Sequence, residues 1–90
     1  MGWSVRRLLP DGSFIEYSVV TIRPDKYRRH GVRYRLAWIQ DGTCRVLFDN
    51  HHGKSDHSHI DGEEKPYPFT TVDALFEDFL TEVRKLGGAA

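Results

Sequence analysis

The run Val32-Arg33-Tyr34-Arg35-Leu36-Ala37-Trp38-Ile39-Gln40, then Asp41-Gly42, then Thr43-Cys44-Arg45-Val46-Leu47-Phe48 decides the fold. In its first segment Val32, Tyr34, Leu36 and Trp38 share one parity, while Arg33, Arg35, Ala37 and Ile39 share the other. Such alternation marks a strand with one buried face. Asp-Gly suits a two-residue type I′ turn, whose central positions both need positive φ. The two segments therefore read as a hairpin.

Working outward, residues 3–9 and 13–22 read as a second hairpin about the turn Pro10-Asp11-Gly12, since the later segment is rich in Val, Ile, Tyr and Thr. A basic connector, residues 23–31, joins it to the central pair. Downstream, the polar stretch 49–65 reads as a loop leaving the fourth strand. Tyr67-Pro68-Phe69 is short and extended, and Pro66 and Pro68 keep it out of a central strand. Val72, Leu75, Phe76, Phe79, Leu80, Val83 and Leu86 then recur at spacings of three and four. That stripe predicts an amphipathic helix over about 71–86, capped by Thr70 or Thr71 and stopped by Gly87-Gly88. The expected architecture is α+β, a four- to five-stranded antiparallel sheet with one C-terminal helix packed on one face, in a single domain spanning 1–90.

Ninety residues, 39% of them hydrophobic, support one small core. A core of that size leaves a role for a homodimer or a partner interface. The single Cys44 excludes an intrachain disulfide and, in an apolar strand, is expected in the core. No apolar leader opens the chain and no run approaches the roughly 20 apolar residues of a membrane helix, so a cytoplasmic protein with no membrane contact is expected. Net charge is zero, but residues 1–45 carry nine Lys and Arg against four Asp and Glu, and residues 46–90 the reverse, four against nine. The basic half is compatible with nucleic-acid phosphates, and equally with attraction between the two halves across the sheet.

Four of the five histidines fall in residues 51–59. If His57-Ser58-His59 is extended, both imidazoles face one way. One neutral and one protonated imidazole suffice to cleave RNA: the base takes the 2′-hydroxyl proton and the acid protonates the leaving 5′-oxygen. The expected catalytic residues are His57 and His59, with His52 a substitute for either and Asp49 orienting a ring. Asp56 is the other candidate for that orienting role. Lys54, Arg33, Arg35 and Arg45 are candidate phosphate cations and Asn50 a further substrate contact, with Tyr27 and Tyr34 interleaved for stacking. No metal or other cofactor is expected. The same donors, His52, His57 and His59 with Asp49 or Asp56, also offer a metal-dependent nuclease, although their spacing fits no standard structural-zinc pattern. A third reading is a non-enzymatic RNA- or protein-binding module using the basic half, in which charge reversal at Arg28 and Arg29 outweighs any histidine.

The runs Val32-Arg33-Tyr34-Arg35-Leu36, Phe48-Asp49-Asn50-His51-His52-Gly53-Lys54 and Asp56-His57-Ser58-His59-Ile60-Asp61-Gly62 resemble the TumE-like toxin family of bacterial toxin–antitoxin systems. Pro66-Tyr67-Pro68-Phe69 and the helix with Leu75, Phe79 and Val83 fit the same pattern, so the resemblance covers roughly residues 3–86. It implies a toxin held by a cognate antitoxin with a helix-turn-helix DNA-binding domain. Its motif positions fall on Asp49, Asn50, His52, Lys54, Asp56, His57 and His59. A ribonuclease activity follows only by analogy with other small toxins.

Overall fold

The computed structural model describes residues 4–51 and 55–90, so His52 and Lys54 lie outside the described residues, as does Trp3. Six strands form one antiparallel meander in chain order: β1 (Ser4–Leu8), β2 (Phe14–Thr21), β3 (Val32–Gln40), β4 (Thr43–Asp49), β5 (His57–Ile60) and β6 (Glu63–Pro66). Helix α1 (Val72–Lys85) follows.

The sheet thus has six strands, not four or five. The stretch 49–65 is not one loop; most of it is the β5–β6 hairpin. Its turn repeats the chemistry of the central one: Asp41 and Gly42 have φ of 51° and 76°, Asp61 and Gly62 of 48° and 86°. Both are the left-handed pair that a type I′ turn demands, with glycine at the second position. β6 can include Pro66 because it is an edge strand, where a missing N–H breaks no ladder.

The parity of β3 sorts the two faces of the sheet. Tyr34, Leu36 and Trp38 are fully buried and pack with Ile15, Val46 and Phe48 beneath the helix residues Leu75, Phe79 and Val83. Those three stand four apart along α1, so one face of the helix makes the lid of the core. Thr71 caps the helix by accepting from the Ala74 amide at 3.1 Å. At the other end a Cβ on Gly88 would collide with Val83 Cγ1 and crowd Trp38, so the chain leaves the helix close against the core. Trp38 also donates from Nε1 to the buried Ser13 hydroxyl at 2.9 Å, satisfying its one polar atom. Among the described residues no helix is long and apolar enough to cross a membrane.

Two expectations for β4 change. Register shifts between Trp38 and Ile39, which pair with Val46 and Cys44, so Arg45 is the extra residue of a bulge. Its guanidinium reaches across the β4–β5 pair to grip Asp61 at 3.0 and 3.1 Å, and donates to Gln40 at 2.8 Å. Cys44 lies near the turn end of β4 and is exposed rather than in the core. Partial burial of its sulfur still raises the thiol pKa, which disfavours the reactive thiolate.

The hydrogen bond from Arg45 holds the Asp61 carboxyl below its usual 3.8. A depressed acid stabilises the fold above the unfolded-state value, and the contribution is lost as pH falls through the folded one. Asp61→Asn is therefore expected to lower the urea midpoint near neutral pH and to match the wild type in strong acid. Equal midpoints near neutral pH would show that the pair contributes nothing.

Candidate active site

Cross-strand register places Arg35 opposite Asp49, Asp49 opposite His57, Leu47 opposite His59, and His59 opposite Glu64. Directly paired residues share a face, so this row runs across the side of the sheet that α1 does not cover. His57 and His59, two apart on β5, stand side by side with ring centroids 5.1 Å apart and planes at 76°.

Each ring is tied to a carboxylate. His57 Nε2 is 2.9 Å from Asp49 Oδ1, and His59 Nε2 is 3.3 Å from Glu64 Oε1. His57 is buried, and its Nδ1 is 2.9 Å from the Ser55 carbonyl oxygen. A carbonyl only accepts, so that nitrogen carries a proton. Both nitrogens of His57 therefore face acceptors, and a proton or cation must lie between Nε2 and Asp49. His59 is half-buried. When its Nε2–H points to Glu64, the Nδ1 lone pair is left for chemistry. An open cleft of about 420 Å³ adjoins His57 and Glu64, lined among the described residues also by Ser55, Asp56, Lys65 and Pro66. That volume lies within the roughly 300–1,000 Å³ of small-ligand sites.

The other expected residues separate. Arg33 is exposed and Arg35 half-buried on the open face; among the described residues neither makes an ion pair or hydrogen bond. Arg45 does not join them, since Asp61 and Gln40 hold it with its guanidinium 5.3 Å from the Trp38 ring centre. Asn50 is fully buried and cannot reach a substrate. Its side chain instead prolongs the β3–β4 ladder: Oδ1 accepts from the Tyr34 amide at 3.0 Å, and Nδ2 donates to the Val32 carbonyl at 2.9 Å. Tyr34 is likewise sealed in the core and offers no stacking surface, whereas Tyr27 is exposed. Arg28 is mostly buried, donating to Asp25 at 2.9 Å and to the Asn50 carbonyl at 3.1 Å, so reversing its charge would break internal bonds.

Asp56 orients a histidine, but the one outside the cluster. Its carboxylate accepts from His30 Nε2 at 3.0 Å, Tyr34 Oη at 2.7 Å and Asn50 Nδ2 at 3.1 Å. His30 Nδ1 accepts a hydrogen bond from the Val32 amide, which fixes the ring as the Nε2–H tautomer, and the ring packs on Phe69 with centroids 4.0 Å apart. Burial, then the Asp56 hydrogen bond, pushes the Tyr34 hydroxyl far above its ordinary pKa, so it stays a neutral donor. Sequence reasoning passed over His30 because it stands alone in the basic connector, 26 positions from Asp56. It also passed over Glu64. Asp61-Gly62 was the signal for Glu64: a hairpin turn there folds Glu64 back beside His59.

Fold and site together define a small two-layer α+β domain with a carboxylate-paired histidine cluster on its open face. The family model for toxin TumE matches residues 4–86, nearly the whole chain, and the chain belongs to that family of toxins. It is thus a toxin component, a class of protein that works with an antitoxin partner. No curated protein and no solved structure gives a significant match.

Proposed function

We propose that this toxin is a metal-independent ribonuclease acting through His57 and His59, silenced by an antitoxin with a helix-turn-helix domain. The observation that carries the reading is the side-by-side pair of imidazoles, each against its own carboxylate, beside a cleft and two uncommitted arginines. His59, with Nε2–H directed at Glu64, takes the 2′-hydroxyl proton on Nδ1 as the oxygen attacks phosphorus. His57 carries the second proton and gives it to the leaving 5′-oxygen, closing a 2′,3′-cyclic phosphate. Asp49 and Glu64 hold the rings and balance the charge that moves through them. Arg33 and Arg35, with Lys54 a further candidate, meet the phosphate, whose negative charge grows in the transition state. The nucleophile belongs to the substrate, so the mechanism requires neither a covalent enzyme intermediate nor a metal.

The test is cleavage of mixed cellular RNA by the purified full chain, with and without EDTA. Cleavage that survives EDTA is expected. Cleavage lost with the chelator would hand the histidines to a metal mechanism. A folded chain that cuts nothing in either condition would leave RNA or protein binding as the toxic act.

A further inference from the structure

The same cluster has a second chemistry. His57, His59 and Glu64 bring two imidazole nitrogens and a carboxylate oxygen within 4.8 Å of one another. In a tetrahedral zinc site with bonds near 2 Å, ligand atoms stand about 3.3 Å apart. The difference is within side-chain rotation, and Glu64 has that freedom on the exposed β6 strand. His57 Nδ1–H donates to the Ser55 carbonyl, so Nε2 is the nitrogen left for a metal. A backbone acceptor behind a ligating imidazole is the usual means of fixing that tautomer. Nε2 in turn confronts the Asp49 carboxylate at 2.9 Å, an arrangement completed by a positive charge. With both imidazoles neutral, two carboxylates leave the cluster two charges negative, which a dication would cancel.

We propose that this cluster captures a first-row transition-metal dication, Zn²⁺ above all, with His57, His59 and Glu64 as ligands, and that capture silences the toxin. Two imidazole donors select zinc, nickel or copper over Mg²⁺, which prefers oxygen. A neutral imidazole that binds metal through Nε2 keeps its proton on Nδ1, so bound His59 cannot accept a proton and bound His57 has no Nε2 proton to give. The silencing rests on the ribonuclease reading; the capture does not.

The experiment titrates the chelator-stripped full chain with Zn²⁺ against a chromophoric chelator, alongside Glu64→Gln and His59→Ala, with circular dichroism as the check on fold. One Zn²⁺ per chain is expected, with affinity falling about tenfold or more in each variant. Glu64 is exposed, so its replacement leaves the core intact. Affinity unchanged in both variants overturns the site, as does affinity lost only in a His51→Ala/His52→Ala chain. In a parallel RNA assay, wild-type cleavage is expected to fall as zinc occupancy rises. Cleavage that rises with zinc overturns the silencing. If the metal-free chain cuts no RNA yet binds zinc through Glu64, the ribonuclease reading falls and the metal site stands.

Discussion

The His57→Ala/His59→Ala chain is expected to lose RNA cleavage and its arrest of cell growth together. Each positioned proton-transfer group is worth about 10²–10⁴ in rate, so loss of both takes activity below detection. The single variants are expected to differ in their side effects. His59 is half-buried beside Glu64, and replacing it should leave the unfolding midpoint nearly unchanged. His57 is buried and bridges Ser55 to Asp49, so its removal strands a carboxylate and also softens the β4–β5 pairing. His59→Ala is accordingly the cleaner probe, and His57→Gln, which retains a donor, controls for structure at the other position. Growth arrest that persists in the folded double variant would end the assignment of acid–base chemistry to this pair.

Asp56→Ala is expected to have the largest effect on stability of any single change in the polar residues. One carboxylate satisfies Tyr34 Oη, His30 Nε2 and Asn50 Nδ2; removing it orphans the first two and leaves Asn50 Nδ2 only its bond to the Val32 carbonyl. A buried group left without its partner costs about 1–3 kcal/mol, so the loss should reach about 3 kcal/mol or more. At roughly 0.05–0.15 kcal/mol per residue, a domain this small has little to spare. The expected readout is a drop of roughly 1–3 M in the urea midpoint, given urea slopes for small proteins of about 1–3 kcal/mol per M. Asp56→Asn keeps one accepting oxygen and should fall between that variant and the wild type. A midpoint within experimental error of the wild type for Asp56→Ala would show that water replaces the carboxylate and that the network is no clamp.

Elements with a single strong period were readable from sequence. The two parities of β3 became the core and the open face, and the apolar stripe became the buried side of α1. The His57 and His59 rings lie side by side because period two holds along β5. The β5–β6 hairpin was hidden because its residues are polar on both faces: composition says loop, while the Asp61-Gly62 turn and pairing to β4 make it sheet. Asn50 and Arg45 misled for a related reason. An amide and a guanidinium are equally suited to a substrate and to the backbone or a neighbouring carboxylate, and only the third dimension shows which partner takes them. The Asp56 network joins residues 30, 34, 50 and 56, and no local pattern encodes such a meeting.

The helix that roofs the core also follows all six described strands in chain order. Every hairpin of the meander joins neighbours in sequence and can begin to form as it emerges, and the histidine cluster belongs to strands made earlier. Yet Tyr34, Leu36, Trp38 and Phe48 stay uncovered until Leu75, Phe79 and Val83 arrive. A nascent chain therefore carries its histidine cluster before it owns a stable scaffold to hold it. The order of synthesis thus lays down the histidine cluster first and the packing that fixes it in place only once α1 has emerged.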